Sequence, residues 1–424
     1  MGGGAGLLLS ILALLGAVPS AGKELAPFGQ KQGVHTALDD FAGAASGAAQ
    51  QPSQRAAAER GQPWPAHCPL QRAARLVRSP PLRLRLKVPV AKSKEVGNLL
   101  MLYAAMRGIA TANGDTSVPT LRQKLTQSGA KGMVRFAKQG KCANHALHVL
   151  VNEGGGFCCA AKGGSGEPGF LVGKEQAFGM FDERIARLSA STTRVSMHGY
   201  FQSWKYWCHE AEGLRAELRS LFLECLDAQA TFARLVGLHQ RNGGTGGAAA
   251  LRGGYVVGVH VRLGDYLTAG RGRFGAVIKG YKAFLASAFA WFERAHPGAT
   301  FVVFCGRHKG CAVKGTCDHE KDEQGGDEMC TGLLPKAQRG RAVLSDGLGA
   351  GEDMALLLSC DGAIATAGSY GWWGAFLTGG DVVAYGEPYS GGLLRKWSQN
   401  DFFPPHWHLF GASGQRLVHP APSA

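Results

Sequence analysis

The C-terminal half of the sequence alternates two kinds of segment. Runs of strand length that are almost wholly apolar, Tyr255–Arg262 (YVVGVHVR), Phe301–Cys305 (FVVFC), Gly362–Thr366 and Asp381–Tyr385, are separated by helical stretches at Tyr281–His296, Glu352–Cys360 and Tyr370–Thr378. A strand with one wet face alternates apolar and polar residues, whereas a strand that is apolar throughout must be covered on both faces. With a helix between consecutive strands, the pattern predicts a parallel sheet sandwiched by helices. The expected fold is therefore α/β and Rossmann-like, without the G-x-G-x-x-G fingerprint. Ligands of such sheets bind beyond the carboxyl ends of the strands, so chemistry is expected there.

Upstream, Leu82, Leu84 and Leu86 alternate with Arg83, Arg85 and Lys87, the period of a half-buried strand. Gly97-Asn98 then opens an apolar helical stretch, Leu99–Ile109, closed by Asn113-Gly114. Residues 210–237 read as an amphipathic helix or helix pair, and 241–254 (RNGGTGGAAALRGG) offers no side chains with which to pack. Residues 24–66 are rich in Ala, Gly and Gln without a sustained period, as in a stem or linker. The expected organisation is a signal peptide or signal-anchor over 1–22 and a stem over 23–66. An N-terminal α/β domain follows over 67–245, then a C-terminal Rossmann-like domain over 246–424.

Ala5–Val18 (AGLLLSILALLGAV) is uncharged and short for a membrane span of ~20 residues, and small residues follow it that suit cleavage. Either form of leader predicts entry into the secretory pathway. Eleven cysteines fit an oxidising compartment, and their odd number leaves at least one outside any internal pair. Cys305, Cys311, Cys317 and Cys330 are spaced more widely than the pairs that bring two thiolates onto zinc from one turn, so a disulfide-stapled loop is expected there. The net charge of +15 suits an anionic ligand, nucleic acid or membrane head groups alike. The dispersal of the basic residues and the leader argue against nucleic acid.

Two strand ends carry candidate chemistry. His260, Arg262 and Asp265 stand at the mouth of the first Val-rich strand, with Gly264 turning the chain; Arg supplies a planar charged fork that suits phosphate oxygens. At the second, Thr366-Ala367-Gly368-Ser369-Tyr370-Gly371-Trp372-Trp373 joins strand to helix, with Ser369 placed as an N-cap. Free N–H groups at such a junction bind anions. The ordinary alternatives are a local ion pair at the first and a plain capped turn with a buried Trp pair at the second. Together the two describe a nucleotide-diphosphate pocket in which the protein neutralises the leaving group. No acidic pair stands at an apolar strand end, so no metal and no cofactor are expected.

Here the sequence resembles a known family. VGVHVRLGDYL resembles the HxRRxD-type motif of the galactoside α-1,2-fucosyltransferases, and residues 352–383 resemble their second motif. HGYFQSWKYW (198–207) and NDFFPPHW (400–407) are similar to the family's central and C-terminal motifs, and the likeness is collinear from about Val96 to Trp407. The resemblance implies a GT-B-like fold of two Rossmann-like domains, GDP-fucose as donor, a galactose-containing glycan as acceptor, a single inverting displacement, and a lumenal Golgi location as a single-pass type II membrane protein or after cleavage of the leader. By position it assigns His260, Arg262, Ser369, Tyr370 and Gly371 to the donor, and Asp353 is placed with them. Tyr200, Gln202, Trp204 and Lys205 are expected on the acceptor side because aromatic faces and polar forks suit sugars, with core packing as their ordinary alternative. Arg262, Asp265 and His260 are the catalytic candidates, with Asp265 as base. Leu263 stands where a second arginine is usual, and Leu263→Arg is expected to be tolerated. Leu99 replaces the glutamine of G-N-Q, and the stretches near 154–168 and 313–351 read as insertions.

Overall fold

The structure is a computed structural model. It describes residues 68–70, 83–86, 96–114, 120–125, 134–135, 145–150, 170–174, 179–192, 194–223, 237, 254–263, 275–305, 329–339, 342–345, 350–389 and 397–419. The expected boundaries at 22/23, 66/67 and 245/246 lie outside these residues, as does Ala5–Val18. Among the described residues no helix is long and apolar enough to cross a membrane, which overturns the expectation of a single-pass membrane protein.

Ahead of the main sheet lie two small ones. Arg83–Leu86 (β1), Phe170–Lys174 (β5) and Arg194–His198 (β6) pair in parallel with β6 in the middle, while Thr120–Leu125 (β2), Val134–Arg135 (β3) and His145–Leu150 (β4) form an antiparallel sheet. The main sheet has seven strands: Val256–Val261 (β7), Thr300–Cys305 (β8), Val343–Leu344 (β9), Gly362–Ala365 (β10), Val382–Tyr385 (β11), His408–Phe410 (β12) and Arg416–Leu417 (β13). Its order is β13-β12-β11-β10-β7-β8-β9, parallel except for the edge pair β12–β13. Numbered along the chain from β7, the six parallel strands stand 3-2-1-4-5-6 across the sheet, the order of dinucleotide-binding folds. The strand order therefore reverses between β7 and β10.

Seven helices complete the described elements the site depends on: Val96–Ala112 (α1), Glu183–Ala186 (α2), Ala211–Leu223 (α3), Gly275–Ala295 (α4), Ala350–Leu358 (α5), Ser369–Thr378 (α6) and Gln399–Phe402 (α7). One core joins Val257, Val259 and Val261 to Tyr281, Phe284, Phe289 and Phe292 of α4. Another holds Ala363 and Ala365 with α1, α3, α5 and α6. Covering on both faces is what the uniformly apolar strands require. α1 and α6 are buried all round, which explains why neither carries a polar stripe. The charge on α1, Arg107, is held by Glu210 and Glu217.

The disulfides Cys68–Cys208 and Cys305–Cys330 are formed, and Cys360 is a buried free thiol; the second bridge is the expected staple. The stretch 313–351 is not wholly an insertion. Cys330, Leu334, Ala342 and Val343 enter the core beside α4, and β9 extends the sheet.

Candidate functional site

The sequence delivers both of its phosphate-suited segments to the point where the strand order reverses. β7 and β10 are neighbours, with His260 opposite Ala365. Thr366 ties their ends together: its Oγ1 accepts from the Arg262 N–H at 2.8 Å and donates to the His260 carbonyl at 3.0 Å, while its own N–H reaches that carbonyl at 3.1 Å. A crevice at such a reversal is where open α/β sheets hold ligands.

Gly368 follows with φ of 104°, a conformation that side chains rarely adopt, and α6 begins at the next residue. Ser369 is thus the first helical residue, one position later than the N-cap expected of it, and the N-cap is Gly368, which has no side chain with which to cap the turn. The Arg262 side chain lies along Gly368, whose missing Cβ would stand 3.6 Å from Arg262 Cγ. A cationic side chain and the positive end of a ten-residue helix therefore share one corner.

His260 is 5 % exposed, and among the described residues its Nδ1 has no hydrogen-bond partner. A Cβ on Gly371 would strike that nitrogen, so the ring edge faces the first turn of α6. Burial, then the neighbouring Arg262 charge, lowers its pKa from the ordinary 6.5 to about 3. At neutral pH the ring is uncharged and serves as a hydrogen-bonding group, leaving the positive charge to Arg262. Tyr370 packs its ring 5.3 Å from that of His260, and burial with the Asp353 charge raises its hydroxyl pKa well above the usual value. Asp353, on α5, accepts from Ser345 Oγ at 2.8 Å just past β9. Asp265 lies outside the described residues.

The acceptor-side candidates sit on the turn after β6. Tyr200 is 39 % exposed, and Phe201 behind it holds a φ of 49° with its ring buried. Gln202 is buried and donates through Nε2 to Asn98 Oδ1 at 2.8 Å. Trp204 donates to the Asn400 carbonyl at 2.9 Å, and Lys205 pairs with Asp401 at 2.6 Å, whose other oxygen accepts from the Phe181 N–H. These last two side chains are committed to holding α7 against the turn. The same Asn98 oxygen accepts from Ser369 Oγ at 2.8 Å, so Gln202 and Ser369 meet through it. Sequence reasoning missed Asn98 as a site residue and gave Thr366 no role beyond its place at the strand end. Gly97-Asn98 is visible as a helix start, but nothing local signals a partner 271 residues away. Among the described residues the cluster with metal-ligand spacing is Cys68, Cys208 and His209, two of which are joined to each other, and it is not part of this corner.

The family model described as "Glycosyl transferase family 11" matches residues 188–408, which include every assigned site residue but not Asn98. The chain is 33 % identical over 189 residues to galactoside alpha-(1,2)-fucosyltransferase 1 of Rattus norvegicus, covering 45 % of this chain and 43 % of that protein. Against the Homo sapiens protein of the same name it is 31 % identical over 191 residues, covering 45 % and 44 %. The chain thus spans less than half the length of the curated relatives it matches. The match takes in β7, β10 and α6, the three elements that build the corner, and on that ground the chain belongs to glycosyl transferase family 11.

Proposed function

We propose that this chain transfers L-fucose from GDP-fucose to a galactoside hydroxyl, forming an α-1,2 linkage with inversion. The observation that carries the reading is the convergence of Arg262, His260 and the glycine-led start of α6 at the reversal between β7 and β10. A diphosphate needs that combination of charged fork and helix N-terminus. The names of the relatives, galactoside alpha-(1,2)-fucosyltransferase 1, support fucosyl transfer, the galactoside acceptor and the linkage. The GT-B-like pairing of an acceptor-side domain over 67–245 with a donor domain over 246–424 is part of the same proposal.

In the reaction, the acceptor oxygen forms a bond to the anomeric carbon of fucose as the bond from that carbon to the β-phosphate oxygen breaks. The electron pair leaves with GDP, and the acceptor proton passes to a base, for which Asp265 is proposed. Entry opposite the leaving group turns the β-linked donor into an α-linked product. Charge grows on the departing diphosphate, where Arg262 and the α6 amides stabilise it. Neutral His260 orients without adding charge. Tyr200, exposed beside Gln202, offers a ring face to the acceptor sugar.

The test is transfer from GDP-fucose to a panel of galactosides, with linkage and anomeric configuration read by NMR. An α-1,2 product on terminal galactose is expected, and it should persist after exhaustive dialysis against EDTA. A folded protein that binds GDP but fucosylates only non-galactosides would replace the acceptor assignment, and EDTA inhibition reversed by Mn²⁺ would replace the charge assignment.

A further inference from the structure

We propose that Asn98 is a positioning residue for the nucleotide: its Oδ1 draws the Ser369 hydroxyl away from the amides that begin α6 and so keeps that turn open to an anion. The inference rests on the donor-site reading above. A serine in the first turn of a helix can turn its hydroxyl onto a neighbouring backbone N–H group. Ser369 instead donates to Asn98 Oδ1 at 2.8 Å, and the N-cap position is a glycine that has no side chain to offer. The first bond closing the helix runs from the Trp372 N–H to the Gly368 carbonyl at 3.2 Å. A second feature points into the same turn: the buried His260 ring, whose unpartnered Nδ1 faces Gly371.

The geometry that lets Asn98 do this is fixed by its neighbours. The backbone of α1 approaches Ser369 and Tyr370 so closely at Gly97 that a Cβ there would stand 2.5 Å from the Tyr370 nitrogen. Trp373 Nε1 donates to the Gly97 carbonyl at 3.1 Å, locking the two helix starts together. Asn98 Oδ1 also accepts from Gln202, so one oxygen restrains a donor-side and an acceptor-side group at once. Without it, the Ser369 hydroxyl is released to its own helix and the Gln202 amide loses its anchor.

The experiment measures GDP affinity by calorimetry and donor KM and kcat by transfer assay, with melting temperature confirming the fold. Asn98→Ala should weaken GDP binding about tenfold and raise donor KM by the same factor, with kcat changed less than twofold. Adding Ser369→Ala to Asn98→Ala should recover most of the lost affinity, because no hydroxyl is left to cover the amides. If Asn98→Ala does not fold, Asn98→Thr, which suits a helix start but is too short to hold Ser369, carries the same expectation. GDP affinity equal to wild type in the single variant, or a double variant that recovers nothing, overturns the proposal. A folded wild type that binds no GDP overturns the donor reading itself, and the proposal with it.

Discussion

Arg262 leaves β7 with its backbone bonded to Thr366 and its side chain laid along Gly368, so its placement depends on two strand ends and not on its own rotamer alone. Because His260 is uncharged, no second cation from β7 shares the diphosphate among the described residues. Arg262→Ala should therefore lower kcat/KM at least a hundredfold, about 3 kcal/mol in the barrier, while the melting curve stays close to wild type. Turnover within a few-fold of wild type in the folded variant would remove Arg262 from the mechanism. Leu263 behaves differently from its expectation. It is 1 % exposed in the core that also holds Val277 and Tyr281, so it fills volume that a guanidinium cannot occupy. Leu263→Arg should destabilise the protein by about 3 kcal/mol or more, since an unpaired charge would be buried. A denaturation midpoint unchanged by Leu263→Arg would show that this side chain has a way out to solvent.

At the scale of elements, α3 closes the far ends of the helices that build the site. Arg219 Nη1 donates to the Leu358 carbonyl at 2.7 Å and to that of Leu377, thereby satisfying the ends of α5 and α6 together. Arg215 donates to the Phe376 carbonyl at 3.1 Å and lies 4.7 Å from the Phe376 ring centroid. Cations at helix C-termini complement the dipole whose positive end faces the nucleotide corner. Arg219→Met keeps the aliphatic stem but strands buried carbonyls, and should cost about 2 kcal/mol in urea unfolding. A loss below about 0.5 kcal/mol would mean that water replaces the guanidinium. The aromatic packing between α1, α6 and Trp207, stacked 5.4 Å from Trp373, ties the first part of the described chain to the second.

Across the whole molecule two properties follow from burial and from a long covalent tie. His260 and His406 are held neutral, at about 3 and about 4 against an ordinary 6.5, by burial first and then by the charges of Arg262 and Arg215 respectively. The folded state therefore binds fewer protons than the unfolded chain across that window. Their contribution is fully present above 6.5 and is lost as pH falls towards the folded values. The melting temperature should drop steadily from pH 7 to pH 4.5, and less so in His406→Gln; an identical profile in the variant would exclude His406. The Cys68–Cys208 bridge spans 140 residues and anchors the turn that carries Gln202. Its reduction removes a constraint on the unfolded chain of about 5 kcal/mol in the entropic model, so Cys68→Ser should lower the denaturation midpoint sharply. A midpoint within error of wild type would show that packing alone holds this region.

The sequence by itself determined the layered α/β fold, because strands that are apolar at every position allow no other burial. It also marked His260, Arg262 and Ser369–Gly371 as strand-end residues, since their chemistry and their flanking glycines are local signals. Only the tertiary structure decided that β10 lies beside β7, because strand order depends on how crossovers pack and not on any segment's own pattern. That adjacency let Thr366 tie the two strand ends together and set His260 beside α6, while packing against α4 buried Leu263 and packing of α1 on α6 turned Ser369 from a cap into a partner of Asn98. Packing of the turn after β6 against α7 engaged Trp204 and Lys205 there. Each of these outcomes rests on contacts between residues far apart in the chain. A residue type states what a side chain can do; its neighbours in space settle which of those things it does.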